Sequence, residues 1–393
     1  MRTYRKPQNL MHKKTLSYAF RRSLFNYYVA KRVKSTLDSS SPLSLSLPSF
    51  VGEMRGKHFL NTDDFSQDEV ARILDLSFQL KRSFDDRVPT PYLPGRTLFM
   101  LFYNRSLRTR NSFEAGIYQL GGHAHFLSPS DVYTPALPED SVPYQTEAIS
   151  DVSRVLSRYG DAIAIRVYGD ASRWIIGRGH KVIQEFARYA SIPVLNMEDD
   201  LYHPFQALAD MMAIKNVFPN PQGKRLVVSY AYSGGLKPLA VPQSSVLIGT
   251  QFGMDVVLAH PPGFELEEAV MEAAKKKADR YGGRIRVTND MKTAFEGADI
   301  VYPKAWSCKK FFPPYSPSVD KAGASAYQDG FKDWICTPEL MELTNKARYM
   351  HCGPADRGME VVDEVIDGPQ SLYFEEAENR LHVQKAVMCM VMG

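Results

Sequence analysis

The sequence predicts an α/β protein built from two Rossmann-like domains with parallel sheets. Segments of helical periodicity alternate with short apolar runs from residue 63 onward, and this alternation is typical of α/β folds. The run TLFMLF at residues 97–102 is continuously apolar, as expected of a strand buried on both faces of a parallel sheet. A second series of such runs begins with RLVVSYAY at 225–232. We therefore predict two sheets, with a domain boundary near residue 200.

In the first half of the chain, the first predicted helix begins after Ser66, because Glu69 three residues later completes a capping box. The strand at 97–102 leads into a second helix, which ends at Gly121-Gly122. The elements predicted after it are a helix at 149–159, the strand DAIAIRV, a helix at 181–189 and the strand PVLNM.

The second half of the chain continues the alternation after residues 210–218. Its predicted elements are, in order, the strand RLVVSYAY, a helix at 243–252, the strand MDVVLAH, a helix at 266–281, and the strands IRVTND and ADIVYPKAW. Parallel strands need such crossover helices, so this order favours a second parallel sheet.

The composition indicates a globular protein. Of the 393 residues 44% are hydrophobic, which is sufficient for two domains with substantial cores. No run of about 18 apolar residues occurs, so we expect no membrane-spanning helix. The four cysteines lack both zinc-ligand spacing and a dense disulfide pattern. We therefore expect no bound metal, and a reducing compartment.

Positive charge is concentrated at the N-terminus. The chain has 48 Lys and Arg and 44 Asp and Glu, and residues 1–50 contain ten of the basic residues but only Asp38 among the acidic ones. The rest of the chain, with 38 basic and 43 acidic residues, carries a net charge of −5. Nucleic-acid-binding proteins usually present a basic face, so we expect no nucleic-acid partner.

The basic segment 1–53 has three interpretations. It is rich in Arg and Ser and poor in acidic residues, as mitochondrial transit peptides are; alternatively, it is a disordered basic arm. We favour a third interpretation, in which the segment is translated sequence upstream of a start at Met54, shortly before the ordered pattern begins at Lys57. The expected location is then the cytoplasm, with the mitochondrial matrix as the alternative.

A hydroxyl- and arginine-rich motif, SLRTR at residues 106–110, lies between the first predicted strand and the helix that follows. A helix entrance directs several backbone N–H groups and the positive end of the helix dipole at one point, which suits an anion. Arg108 adds a planar set of donors that matches phosphate oxygens, and Ser106 and Thr109 add hydroxyl donors. The alternative is a well-capped helix with exposed arginines.

Polar residues also follow other predicted strands. Arg166 ends the strand DAIAIR, and His203 and Gln206 follow PVLNM. His351 ends another predicted strand, directly before Cys-Gly-Pro. Each residue alone has a structural interpretation, as an ion-pair partner, a helix cap or a satisfied loop group. Because α/β sheets bind ligands at the C-terminal ends of their strands, the recurrence favours one shared site.

Four motifs in matching order, SLRTR, HPFQ, HCGP and ENRLHVQKA, resemble those of the aspartate/ornithine carbamoyltransferases over residues 57–393. The segments GGLKPLAVPQ and YPKAW, and the lack of an SMG segment, are similar to the N-acylornithine branch and to related carbamoyltransferases of unassigned substrate. The resemblance implies a carbamoyl-phosphate-binding domain at 54–200 plus 376–393, to which the C-terminal helix returns. It also implies an amino-acid-binding domain at 201–375 and a trefoil knot at the loop 236–241.

The activity implied by the resemblance is transfer of the carbamoyl group from carbamoyl phosphate to the amine of ornithine or an N-acylornithine-like amino acid, with release of phosphate, as in arginine biosynthesis. No cofactor is implied. A homotrimer is implied, in which a neighbour's loop within 128–147 completes each site. One alternative is a non-catalytic or divergent paralogue that binds carbamoyl phosphate or an amino acid. Another is a nucleotide-dependent enzyme, which the lack of G-x-G-x-x-G disfavours.

The resemblance also assigns site residues, with two departures from the family pattern. Gly353 stands where the family usually has Leu, and Glu360 stands where acetylornithine-specific relatives have Lys. The expected catalytic residues are Arg108, Thr109, Arg166, His203, Gln206 and Cys352, the last as a loop residue rather than a nucleophile. The expected carbamoyl-phosphate-binding residues are these six together with Ser106, Leu107, Gly353 and Arg380. The expected amino-acid-binding residues are Lys237 for the α-carboxylate, Pro238, Leu239, Glu147 and Glu360.

Overall fold

The first half of the described chain contains a parallel sheet with helices between its strands. The computed structural model describes residues 48–393. The elements of this half are α1 Gln67–Asp85, β1 Thr97–Phe102, α2 Arg108–Gln119, β2 His123–Leu127, β3 Thr134–Ala136, β4 Thr146–Ala148, α3 Ile149–Tyr159, β5 Ala162–Arg166, α4 Arg178–Tyr189, β6 Val194–Glu198 and α5 Pro204–Val217. Strands β2, β1, β5 and β6 pair in that order, all parallel, while β3 and β4 form a separate parallel ribbon.

The second half contains another parallel sheet. Its elements are β7 Arg225–Tyr230, α6 Ala240–Gln251, β8 Asp255–Ala259, α7 Glu268–Tyr281, β9 Arg284–Thr288, α8 Met291–Phe295, β10 Ile300–Lys304, α9 Lys321–Gln328, α10 Pro338–Glu342, β11 Arg348–Tyr349, α11 Asp363–Ile366 and α12 Tyr373–Met392. The strand order is β11-β10-β7-β8-β9, and all pairs are parallel. The prediction of an α/β fold with two parallel sheets is confirmed.

Three helices are buried almost all round and form the centre of the structure. Every residue of α6 is buried, as are the residues of α5 from Pro204 to Ile214 and most of α12. Helix α12 packs against α1, α2 and α5, so the C-terminal helix does return to the first domain, as predicted. Phe205 of α5 lies 5.0 Å from the ring centroids of both Phe59 and Phe113. Burial of each such ring contributes roughly 2–3 kcal/mol.

Strands β2, β3 and β4 were not predicted from the sequence. Strand β2, HAHFL, lies at the edge of its sheet and is mostly exposed, so it lacks the apolar run that marked its neighbours. Strands β3 and β4 have only three residues each. Strand β11, which was predicted before His351, is present with two residues. The trefoil knot and the domain boundaries stay predictions.

The first described residues contact the last helix. The N–H of Gly52 donates to the carbonyl oxygen of Cys389 at 2.9 Å, and the N–H of Met54 donates to that of Met390 at 2.9 Å. Residues 48–53, which we assigned to the basic tail, thus include a segment packed on α12. The transit-peptide, basic-arm and upstream-sequence interpretations of residues 1–47 lie outside the described residues.

None of the helices between residues 48 and 393 combines the length and the apolar composition of a membrane-spanning segment.

The predicted capping box at the start of α1 is present. The Glu69 N–H donates to Ser66 Oγ at 3.2 Å, and the Ser66 N–H donates to Glu69 Oε2 at 2.9 Å. Ser66→Ala removes the first of these hydrogen bonds and should lower the free energy of unfolding by about 1 kcal/mol, measured by urea denaturation. Ser83→Ala in the same helix is the control. Equal stability of Ser66→Ala and wild type would show that water replaces the cap.

Candidate active site

The C-terminal ends of strands from both sheets surround a cavity of about 560 Å³. Twelve of the residues predicted to form the site line it: Ser106, Leu107, Arg108, Thr109, Arg166, His203, Gln206, Lys237, Pro238, Cys352, Gly353 and Arg380. The lining residues that sequence reasoning missed are Arg105, Tyr168, Glu198, Leu236, Val241, Lys304 and Pro354. The cavity therefore collects the strand-end residues into one site.

One end of the cavity is the entrance of helix α2, which begins at Arg108. Leu107 occupies the N-cap position and provides no capping hydrogen bond, and the first turn contains no acidic residue. The Thr109 N–H donates to Ser106 Oγ at 3.2 Å. The positive end of the helix dipole is therefore not neutralised within the helix, which favours an anionic ligand at this point.

Two buried arginines meet at a single hydroxyl group behind this entrance. Arg166 Nη1 and Arg380 Nη2 each lie 3.2 Å from Thr109 Oγ1, to which they donate. Arg166 also donates to the Tyr168 hydroxyl at 2.8 Å and forms an ion pair with Glu198. Burial, and then the charge of Arg166, lowers the pKa of Arg380 to about 10. Arg380 therefore stays charged at neutral pH, and the two guanidinium groups make this end of the cavity strongly electropositive.

His203 is a neutral imidazole beside these arginines. Burial, and then the charges of Arg380 and Arg166, holds the pKa of His203 well below its ordinary value. Arg380 Nη1 lies 3.3 Å and Glu198 Oε2 lies 3.5 Å from His203 Nε2. His203 Nδ1 is buried and has no hydrogen-bond partner within residues 48–393.

Gln206 is oriented by two hydrogen bonds. Its Oε1 accepts from Arg380 Nη1 at 2.8 Å, and its Nε2 donates to Asp210 Oδ1 at 2.7 Å. The carbonyl oxygen has a second lone pair. The side chain is therefore held as an acceptor at the edge of the cavity.

The opposite end of the cavity has two lysines, each with an acidic partner. Lys237 Nζ lies 3.2 Å from Asp356 Oδ2, and Lys304 Nζ lies 2.7 Å from Glu360 Oε1. The Lys237 N–H also donates to Ser307 Oγ at 3.0 Å, which ties the loop after β7 to the segment after β10. This end of the cavity carries cations whose positions are fixed before any ligand binds.

Glu360 does not line the cavity but supports Lys304 from behind. Its side chain is fully buried, Oε1 accepts the Ala305 N–H at 2.7 Å, and Oε2 accepts the Asp356 N–H at 2.8 Å. Burial alone would raise the pKa of Glu360, but the charges of Lys304 and His351 hold that pKa well below its ordinary value. The expected direct contact of Glu360 with the amino acid is corrected accordingly.

Two other predicted amino-acid-binding residues lie outside the cavity. Leu239 lines a smaller neighbouring cavity together with Trp174 and Asp200. Glu147 lies on β4, exposed, beside a separate cavity that Tyr189 also lines. It belongs to the loop predicted to complete a neighbour's site, so its role stays a prediction.

Two of the cavity-lining residues that were not predicted, Glu198 and Lys304, could have been identified from their positions in the sequence. Glu198 follows the predicted strand PVLNM directly, and Lys304 lies within the motif YPKAW. Both occupy strand ends of the kind that identified Arg166.

Gly353 leaves room for a tyrosine. Its φ is +65°, and an ideal Cβ at this position would lie 2.7 Å from Tyr373 Oη and 3.2 Å from Arg108 Cζ. A side chain at this position must therefore displace the Tyr373 ring or the Arg108 guanidinium. Tyr373 thus occupies part of the space of the leucine expected from the family.

Gly353→Leu should weaken carbamoyl-phosphate binding about tenfold or more, because the new side chain collides with Tyr373 and Arg108. Isothermal titration calorimetry measures the dissociation constant. Gly353→Leu/Tyr373→Ala should recover part of the loss, and Tyr373→Ala alone is the matched control. Unchanged affinity in Gly353→Leu would contradict this explanation of the glycine.

Comparisons with known proteins agree with this geometry. The model of the aspartate/ornithine carbamoyltransferase carbamoyl-P binding domain matches residues 57–216, and that of the Asp/Orn binding domain matches residues 228–391. N-acetylornithine carbamoyltransferase of Xanthomonas campestris pv. campestris is 37% identical over 349 residues, covering 86% of this chain and 98% of that protein. Ornithine carbamoyltransferase of Halalkalibacterium halodurans is 37% identical over 339 residues, covering 86% and 96%.

A solved structure of acetylornithine transcarbamylase complexed with acetylcitrulline is similar throughout. Its TM-score is 0.79 at 36% sequence identity, and the match covers 86% of this chain and 99% of that one. Both family models and the full-length relatives thus cover the two sheets and the site between residues 57 and 391. The chain therefore belongs to the aspartate/ornithine carbamoyltransferase family and is a carbamoyltransferase.

Proposed function

We propose that this enzyme transfers the carbamoyl group of carbamoyl phosphate to the primary amine of ornithine or an N-acylornithine, with release of phosphate. The observation that carries the proposal is the contact of Arg166 and Arg380 with the Thr109 hydroxyl, next to Arg108 at a helix entrance. Such a cluster is suited to a small dianion whose charge shifts during the reaction. Preoriented donors stabilise the charge that develops without having to reorganise.

The phosphate end of the ligand belongs at the α2 entrance. The N–H groups of residues 106–109 and the side chains of Ser106, Arg108 and Thr109 would donate to its oxygens. Leu107 is 74% exposed, so its apolar side chain is directed to solvent and only its backbone N–H would contact the phosphate. Arg380 would reach the same group, and its charge is retained because its lowered pKa of about 10 still lies above neutral pH.

The carbamoyl end of the ligand belongs between the two arginines and the HCGP loop. Thr109, Arg166 and His203 would contact the carbonyl oxygen, where the tetrahedral intermediate becomes negatively charged. Gln206 Oε1 would accept from the carbamoyl NH₂ group. The backbone carbonyls of Cys352 and Gly353 would accept from the same group.

No covalent nucleophile takes part in this scheme. The amine attacks the carbonyl carbon, the C–N bond forms, and the tetrahedral intermediate collapses by breaking the C–O bond to phosphate. A lysine-like amine has a pKa of about 10.4 and must lose one proton to solvent before it attacks. The second proton of the attacking nitrogen passes to the departing phosphate as the tetrahedral intermediate collapses. Burial raises the pKa of the Cys352 thiol to about 12, so this side chain is a neutral thiol during the reaction.

The amino-acid substrate belongs at the lysine end of the cavity. Lys237, in the loop that continues through Pro238 and Leu239, would bind the α-carboxylate. Lys304 adds a second cation at this end, held in place by Glu360 at 2.7 Å.

A homotrimer with shared sites is part of the proposal. Seven of the fifteen large apolar side chains that are exposed within residues 48–393 lie between Leu107 and Tyr144, including Tyr118 and Tyr133. Concentrated exposed apolar surface of this kind favours a protein interface. Analytical ultracentrifugation that finds only monomers at assay concentrations would contradict the trimer. The cytoplasmic location and the role in arginine biosynthesis stay predictions.

A second candidate function, a paralogue that binds without turnover, is favoured by Gly353. The family's leucine would add an apolar wall at this point, and Gly353 lacks it. The two functions differ in one measurable outcome, which is product formation.

The full-length protein should release phosphate from carbamoyl phosphate when ornithine, N-acetylornithine or N-succinylornithine is present, and the carbamoylated amino acid should appear in equal amount. A coupled phosphate assay and mass spectrometry measure the two products. Putrescine, which lacks the α-carboxylate for Lys237, is the control amine and should be a much poorer substrate. Binding of carbamoyl phosphate without turnover of any amine would support the paralogue instead.

Arg108→Ala should reduce kcat/KM by roughly 10²-fold or more, a loss typical for removal of one donor that stabilises a transition state. The physical reason is the loss of a planar pair of donors to the phosphate oxygens. Steady-state kinetics with the best amine measure this effect. Arg154→Ala on α3, where the arginine side chain is 62% exposed, is the control. A loss of less than threefold in Arg108→Ala would place the phosphate elsewhere.

A further inference from the structure

A pair of carboxyl groups that the proposed mechanism does not use lies directly behind the site. Asp210 of α5 is 2% exposed, and Glu376 of α12 is completely buried. Asp210 Oδ1 accepts from Gln206 Nε2 at 2.7 Å, and Glu376 Oε2 accepts the His351 N–H at 2.9 Å. Each acid thus supports one predicted ligand-binding element, the first the Gln206 amide and the second the HCGP loop.

The remaining oxygen of each acid is unpaired. Asp210 Oδ2 and Glu376 Oε1 are buried and accept no hydrogen bond within the described chain. The Asp210 side chain is within hydrogen-bonding reach of Glu376 and of the Tyr302 hydroxyl. Two ionised carboxylates in such contact would repel strongly in a buried site. A single proton between them removes the repulsion and satisfies both oxygens.

We infer that Asp210 and Glu376 share one proton and that this hydrogen-bonded acid pair positions Gln206 and the HCGP loop for carbamoyl phosphate. This inference rests on the proposed function. Neither acid lines the cavity, so both are positioning residues. They join α5, which carries His203 and Gln206 at its start, to α12, which carries Arg380.

The hydrogen bonds to Asp210 and Arg380 determine which way the Gln206 amide faces. While Asp210 Oδ1 is a bare acceptor, the Gln206 NH₂ group must point towards it and Oε1 must point towards Arg380. A proton on Asp210 Oδ1 would reverse the amide and turn its NH₂ group against the Arg380 guanidinium. The shared proton therefore belongs between Asp210 Oδ2 and Glu376 Oε1, where it leaves Oδ1 as an acceptor and keeps Gln206 Oε1 available for the carbamoyl NH₂ group.

The surroundings of the pair agree with this placement. Burial, and then the charge of Asp210, raises the pKa of Glu376 well above its ordinary value, whereas the pKa of Asp210 rises only to about 6. Arg380 lies one turn along α12 and favours the ionised form of Asp210. The other polar or ionisable groups near the pair are Tyr302 on β10, Cys352 in the HCGP loop, and Glu375 on α12.

Amide substitutions distinguish a shared proton from simple packing. Glu376→Gln keeps an oxygen for the His351 N–H and supplies an N–H to Asp210, so it imitates the protonated acid. Asp210→Asn keeps an oxygen for Gln206 and supplies an N–H to an ionised Glu376. In Asp210→Asn/Glu376→Gln both oxygens are already required by Gln206 and His351, so two NH₂ groups must face each other. One amide can replace the shared proton, and two cannot.

The test is a double-mutant cycle on the full chain, with the dissociation constant for carbamoyl phosphate measured by calorimetry. Each single variant should stay within about threefold of wild type, because every hydrogen bond has a replacement. The double variant should lose about tenfold to a hundredfold, since it buries donors without acceptors. Circular dichroism and thermal unfolding check that each variant is folded.

A pH profile provides the second measurement and does not require the double variant to fold. Wild-type affinity for carbamoyl phosphate should fall at alkaline pH as the pair loses its proton and the carboxylates repel. In Glu376→Gln this fall should move to higher pH, because the amide has no proton to lose. A purely structural role for Glu376 would leave the profile unmoved.

The outcomes separate this inference from the proposed function. Wild type that neither binds nor turns over carbamoyl phosphate overturns both. Wild type that binds it, together with a double variant no worse than the singles or with an unmoved pH profile in Glu376→Gln, overturns only the shared proton. Tight binding by both single variants with a strong loss in the double variant supports it.

Discussion

The site depends on one contact, the approach of two buried guanidinium groups to the Thr109 hydroxyl oxygen. Like charges this close repel strongly in a medium of low dielectric constant, and each charge also loses its water on burial. Glu198 compensates Arg166 through an ion pair, and the Gln206 oxygen accepts from Arg380. These groups do not neutralise all of the positive charge at the α2 entrance, where the helix dipole adds further positive potential. A dianionic acyl phosphate bound there would neutralise the remainder.

The same electrostatics accounts for the difference between the two ends of the cavity. At the arginine end, the positive charges hold His203 neutral and leave donors available. At the lysine end, each cation already has an acid beside it, Asp356 for Lys237 and Glu360 for Lys304. A substrate carboxylate bound at these lysines would share an existing ion pair, so we expect the amino acid to be held less tightly than the phosphate group of carbamoyl phosphate.

Much of the fold followed from local sequence patterns, because buried parallel strands need continuous apolar runs and helices need caps. The strand-end residues Arg166 and His203 were predicted in the same way. Their partner Glu198 was not predicted, and neither was the ion pair of Lys304 with Glu360, because distant parts of the chain bring these charges together. Sequence spacing also did not reveal that the Glu360 side chain turns inward, away from the ligand. Strand β2 was missed because edge position and exposure remove the apolar signal.

The contact between residues 52–56 and the last turn of α12 holds the end of that helix in place. The N–H groups of Gly52, Met54 and Gly56 donate to the last carbonyl groups of α12, which otherwise have no partner within a helix. Cys389, whose carbonyl oxygen accepts from Gly52, lies nine residues from Arg380, which is about 14 Å of helix. Loss of residues 52–56 would remove these hydrogen bonds and would allow the helix that carries Arg380 to fray from its end, without any change inside the cavity.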